Sequence, residues 1–190
     1  MIRVNFKADI DRARNSLGLL QTEVTKGAAR ALDRVATTVR KEGSDEIRTR
    51  LKLSASAVKE RINVVRPYGG QRLIRDVVAS GLPIPLRDYS ARQTRAGASY
   101  QVSTAKGRRV YRNKYGAGFI IPKLGGNVFV RVGPNPPGKA VAPIRKVYGP
   151  SIPQYFVTRF VRERMQRVGA ERWPIEFNRE MAYRASKATI

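Results

Sequence analysis

The chain has 190 residues, 38 of them Lys or Arg and 14 Asp or Glu, for a formal charge of +24. It contains neither Cys nor His, which excludes disulfides, thiolate chemistry, Cys-ligated zinc and the commonest general base. With 42% hydrophobic residues it can form a core burying about 70% of its unfolded surface; no apolar run reaches the ~18 residues of a membrane span or resembles a signal peptide.

The first expected element is a long helix. Ile10, Ala13, Leu17, Leu20, Val24, Ala28, Ala31, Val35 and Val39 recur at spacings of three and four, drawing one apolar stripe over about eight turns. Ala28, Ala29, Ala31 and Ala36 are small enough to admit another backbone. Gly43-Ser44 is expected to break the helix, with a second piece from Asp45 to Leu51. The acid pairs Asp9 with Asp11 and Asp45 with Glu46 fall on this helix and read as solvated surface, not as catalytic dyads.

Ser54 or Ser56 can cap a short helix through Val58. Together with Ile47–Leu51 this segment has the outline of a DNA-reading helix-turn-helix. Lys52 stands where such a turn wants glycine, however, and Arg48 where its first helix wants a small side chain. From Leu73 onward the pattern turns to short strands: Leu73–Ala79, the Pro-enforced extended run Leu82–Leu86, Ala98–Ser103, Arg108–Arg112, Phe119–Ile121 and Val128–Val132. A helix is then expected from Gln154 to Val168, a bend at Trp173-Pro174, and a last helix from Ile175 to Ser186. Trp173 is expected to anchor a core or an interface. The fold class is α+β: a long N-terminal helix packed on a small antiparallel sheet, with C-terminal helices. The chain is expected to be one domain, helical over 1–66, strand- and loop-rich and basic over 67–147, and helical over 148–190.

Charge is the strongest functional signal. Between Asp88 and Glu163 there is no carboxylate, yet fourteen Lys and Arg fall there. Residues 1–88 carry eighteen basic and ten acidic groups, and residues 163–190 six and four. A surface of one sign attracts polyanions, of which nucleic acid is the commonest. Arg outnumbers Lys twenty-seven to eleven, and its planar fork suits phosphate. The candidate phosphate-contacting residues are Arg92, Arg95, Lys106, Arg108, Arg109, Arg112 and Lys114, in or beside glycine-rich segments. Gly133-Pro134-Asn135-Pro136-Pro137-Gly138 is turn-dense but lacks the Gly-Lys-Ser/Thr ending of a phosphate-cradling loop. No catalytic residue, metal ligand or cofactor is expected, because a metal-dependent nuclease needs clustered carboxylates and the most charged zone has none.

Several segments, in order, resemble one family. They are Arg30-Ala31-Leu32-Asp33-Arg34-Val35-Ala36-Thr37-Thr38-Val39-Arg40-Lys41-Glu42, Ala79-Ser80-Gly81, Ile84-Pro85-Leu86-Arg87-Asp88-Tyr89, Ala91-Arg92-Gln93-Thr94, Phe129-Val130-Arg131 and Pro143-Ile144-Arg145-Lys146-Val147-Tyr148-Gly149-Pro150-Ser151-Ile152-Pro153. The chain resembles the minor tail protein Z family of long-tailed phages and prophages. The resemblance implies a non-enzymatic virion protein of the tail, present in the host cytoplasm during assembly. It implies a homo-oligomeric ring, a hexamer if matched to the sixfold tube, at the head-proximal end. Its partners would be the tail tube, terminator, tape measure and head connector, with genomic DNA met through non-specific phosphate contacts and no membrane involved. The subunit interface is expected at Leu17, Leu20, Val24, Tyr148, Ile152, Tyr155 and Phe156. The alternative is a soluble nucleic-acid-binding protein, either a helix-turn-helix regulator using Ser56, Lys59 and Arg61 or an RNA-binding factor.

Overall fold

The amino-terminal apolar stripe forms helix α1, Gln21–Arg50. Val24, Ala28, Ala31, Leu32, Val35, Ala36, Val39 and Ile47 are all buried along it, as a stripe of period 3.6 requires. The computed structural model describes residues 2–4, 21–66, 73–134 and 142–188. Ile10, Ala13, Leu17 and Leu20, the Asp9/Asp11 pair and loop 135–141 therefore lie outside the described residues. The expected break at Gly43-Ser44 is absent, and α1 runs through it. Gly43 is buried where a Cβ would stand 2.7 Å from Met165 Sδ. Glycine here admits a neighbouring helix, and α1 tolerates its weak propensity because the packing on that face repays it.

Helix α2, Ala55–Lys59, is capped by Ser54, whose Oγ accepts the Ala57 N–H at 3.3 Å. Strand β2, Ile62–Val65, follows inside a segment expected to be helical. The run Ile62, Val64, Val65 is β-branched and favours the extended backbone. Strand β1, Ile2–Val4, and β2 flank strand β3, Arg75–Ala79, in an antiparallel sheet of order β1-β3-β2. Asp33 of α1 binds this sheet, accepting Arg75 Nε at 2.5 Å and, from beyond β2, Arg66 Nη2 at 2.9 Å.

The carboxy-terminal helices divide differently from expectation. Helix α3 is Ile152–Phe156 and helix α4 is Arg159–Ala188. The chain breaks at Val157-Thr158, where the Thr158 carbonyl accepts the Arg162 N–H to begin α4. No bend separates two helices at Trp173-Pro174; Pro174 is exposed within α4. Trp173 is 2% exposed and stacks on Phe177 with centroids 4.9 Å apart, an anchor for that face. Helices α1 and α4 run antiparallel, with Arg164 on Glu42, Arg34 on Glu176 and Glu180, and Arg184 on Glu23. The fold is α+β, as the pattern of elements implies.

Contacts divide the chain into two compact units. The first comprises Met1–Glu46, Lys59–Ser80 and Phe156–Ile190, and the second Ile47–Val58 and Gly81–Tyr155. The second unit holds the remaining strands: β4 Arg92–Thr94, β5 Gly97–Tyr100, β6 Arg109–Val110, β7 Arg112–Asn113, β8 Gly116–Ala117, β9 Phe119–Ile121, β10 Asn127–Arg131 and β11 Ile144–Lys146. They form antiparallel sheets of order β4-β5-β6 and β11-β10-β9 and a β7-β8 hairpin. The run 82–85 lies outside these sheets, bridging at Pro85 to Tyr148, and Leu86, expected to be extended, instead begins a 3-10 turn, Leu86–Asp88.

Tyr89 locks this unit. It is fully buried, and its hydroxyl donates to the Pro150 carbonyl at 2.7 Å. Gly149 lies against the ring edge, where a Cβ would come within 3.0 Å of Cδ2. Around it, Leu86 N–H donates to Val147 O at 3.0 Å and Gly149 N–H to Ile84 O at 2.8 Å. Two segments distant in sequence, 84–89 and 147–150, are joined by these bonds.

Candidate nucleic-acid interface

The second unit contains sixteen Lys and Arg residues and one carboxylate, Asp88, whereas the first contains twenty-two and thirteen. Arg92, Arg95, Lys106, Arg108, Arg109, Arg112 and Lys114 all belong to the second unit and all are exposed. None forms a salt bridge among the described residues; the one carboxylate of their unit, Asp88, is held by Arg87. Burial and neutralisation both being absent, their charge faces solvent.

Strand pairing decides which of these groups come together. Arg92 lies opposite Ser99, and Arg108 Nη2 reaches Ser99 O and Oγ, each at 3.1 Å. These two arginines therefore meet about one residue of β5. Arg112 Nη2 points to Ala96 O at 3.5 Å, beside Arg95 in the β4-β5 turn. Arg109 pairs with Tyr100, one residue along from Ser99, and so lies on the other face of the sheet. Lys114 Nζ sits 4.9 Å from the Tyr115 ring centroid. The cations thus clothe the sheet and hairpin on more than one side and do not form a single flat plate.

Arg108 has a structural duty as well. Its Nη2 also donates to Ser90 O at 2.6 Å, and Ser90 holds φ +55°, a conformation costing a non-glycine residue about 1–2 kcal/mol. The guanidinium fastens that strained turn. Further exposed cations of the unit, missed by weighing glycine-rich segments alone, are Arg131, 5.5 Å from the Phe119 ring centroid, and Arg145 on β11.

The expected interface set is corrected by burial. Val24 and Ile152 are fully buried and Phe156 is 2% exposed, so all three pack the chain's own core. Their apolar periodicity marked a core and not a partner. Tyr148 is 51% exposed and Tyr155 half-buried, while Leu17 and Leu20 lie outside the described residues. Ser56, Lys59 and Arg61 are likewise not arranged as a groove reader. Helix α2 has five residues and gives way to a strand, too short to lay several side chains along a major groove.

Among the described residues no group of three or more Asp or Glu could hold a metal ion, and no helix is long and apolar enough to cross a membrane. Compared with family models, curated proteins and solved structures, the chain finds no match. What the arrangement offers chemically is a set of unneutralised guanidinium and ammonium groups on short hairpins, suited to phosphate oxygens and without a base-reading element.

Proposed function

We propose that this chain is a non-enzymatic structural protein of a phage tail, a tail completion component that assembles as a ring at the head-proximal end. Its second unit meets the genome as the DNA passes. The observation that carries this reading is the exposed, unpaired set Arg92, Arg95, Lys106, Arg108, Arg109, Arg112 and Lys114 in a unit with a single carboxylate. A passage for a sliding duplex needs positive charge toward phosphate and no base readout, since base contacts would halt particular sequences. The segments that resemble minor tail protein Z supply the tail context.

The test is quantitative mass spectrometry of purified virions, separated into heads and tails. A few copies per tail, in constant ratio to the tube protein, are expected. Protein left in the cell and missing from virions would overturn the tail assignment. In that case selection from a random pool of DNA and RNA asks whether a free nucleic-acid-binding protein remains.

A further inference from the structure

Sheet β11-β10-β9 has one face turned to the core and one turned outward. On the inner face Val128 and Val130 are 1% and 0% exposed, and Val147, one residue past β11, is 6% exposed. The Val147 N–H donates to Val128 O at 2.9 Å, so the ladder and its alternation continue to Tyr148. Side chains directly opposite in an antiparallel pair share a face, as do residues two apart on one strand. Phe119, Phe129 and Lys146 therefore form one row across the three strands, and Arg131 with Ile144 the next. Tyr148, two residues beyond Lys146, lies on the same outward face.

That face interleaves rings with cations. Tyr148 is 51% exposed, and Lys146 Nζ stands 5.3 Å from its ring centroid. Phe119 is half-buried, with Arg131 Cζ 5.5 Å from its centroid. Arg131 is itself exposed, and neither cation forms a salt bridge among the described residues. Phe129, at 9% exposure, fills the space between and offers a ligand little surface. The two outer rings stand two strand spacings apart, roughly 10 Å, so each can meet a different group of one ligand.

A ligand matched to this face carries flat π-surfaces and a negative charge beside each. An intact duplex keeps its base faces inside the stack and presents phosphates alone. An acidic peptide presents carboxylates without a run of planar groups. Unpaired nucleotides bring a base and a phosphate in every repeat, and bases stack on exposed rings and on guanidinium planes with little sequence preference. We propose that the outward face of β11-β10-β9 binds single-stranded nucleic acid. One base lies against the Tyr148 ring, another on the Arg131 guanidinium backed by Phe119, and Lys146 meets a phosphate beside Tyr148. This surface uses none of the seven candidate cations and does not depend on the tail role.

The test uses the full chain at physiological salt with fluorescein-labelled oligothymidylate and an abasic strand of equal length and charge, about twelve nucleotides each. Fluorescence polarisation is expected to show oligothymidylate binding at least about tenfold more tightly than the abasic strand. Tyr148→Ala should weaken oligothymidylate about tenfold, the size of one lost base–ring stack, and leave the abasic strand unaffected. Tyr148→Phe, which keeps the ring, should retain the preference. Arg92→Ser, from the phosphate-facing set, should weaken both strands alike and leave their ratio unchanged. Equal affinity for the two strands, indifference to Tyr148→Ala, or a loss in Tyr148→Phe as large as in Tyr148→Ala would each overturn the proposal. So would an oligoglutamate of equal charge displacing oligothymidylate as well as unlabelled oligothymidylate does, which would make the face a surface for acidic protein. An oligomer of the free chain that Tyr148→Ala dissociates would overturn it too, by assigning the ring to a subunit contact.

Discussion

The two units treat the same kind of side chain in opposite ways. In the first, arginines are consumed by the fold: Arg75, 3% exposed, on Asp33; Arg184, 8% exposed, on Glu23; Arg34 on Glu180 at 2.6 Å; Arg164 on Glu42 at 2.7 Å. In the second, the single acid Asp88 is held by Arg87 and the hairpins carry their charge bare. A buried or bridging arginine reports on packing. An exposed one with no acid to pair with raises the local potential instead. Net charge alone would have assigned both units the same role, and the distribution of carboxylates separates them.

The largest expected effect comes from removing that bare charge. Arg92→Glu, Arg95→Glu, Lys106→Glu and Arg109→Glu together should flatten the log–log salt dependence of binding to random-sequence duplex DNA by about 3–4 units, near 0.9 per lost phosphate contact. Neutralising Lys26, Lys41, Arg159 and Arg164, each already ion-paired, should change the slope by less than about one unit. Similar losses from both sets would erase the distinction between the units. Arg108 is spared in this design because its loss frees the strained Ser90 turn.

The second effect concerns what holds the second unit together. Gly149→Ala drives a methyl group into the Tyr89 ring edge, an overpacking expected to cost about 1–3 kcal/mol. Tyr89→Phe, which removes the hydroxyl bond to Pro150 O, should cost about 1 kcal/mol. Denaturant titration read through amide exchange of the second unit measures both.

A smaller effect separates the units by pH. Burial works to raise the Asp33 pKa, but the Arg75 hydrogen bond and the charges of Arg75 and Arg66 outweigh it, leaving the pKa below its ordinary value. A depressed carboxylate contributes stability that is present above its unfolded pKa and lost as pH falls through the folded one. The first unit should therefore lose protection as pH drops below the usual Asp range. Asp33→Asn should flatten that dependence, and Asp33 being partly exposed keeps the change modest. An unaltered acid profile in Asp33→Asn would remove this pair from the account.

The smallest expected difference is with salt. At about 1 M the screening length falls to roughly 3 Å. Screening relieves like-charge repulsion in the second unit and weakens the ion pairs of the first, so amide protection should rise in one and fall in the other. A parallel response in both would mean that unpaired charge carries no conformational cost here.

Much of the secondary structure was legible because it is local. The α1 stripe, the strands Phe119–Ile121 and Asn127–Arg131, and the Ser54 cap follow from spacing and from propensities acting over a few residues. The errors have local causes overridden from afar. Gly43 reads as a helix breaker until Met165, far along the chain, fills the space above it. Val24, Ile152 and Phe156 read as interface because an apolar face does not say what will cover it. The pairing of Arg75 gave no signal, since only the fold brings it to Asp33, 42 residues away.

The sequence by itself determined the location of the charge: one carboxylate from residue 88 through residue 162, whatever the chain does in space. It also determined that neither Cys nor His chemistry operates here. Only the tertiary structure decided which arginines remain available, because pairing depends on contacts such as Arg164 with Glu42, 122 residues apart. Periodicity constrains dihedrals over neighbouring residues, whereas an ion pair or a cleft requires two remote segments to arrive within a few ångströms. That arrival is fixed by packing the whole core.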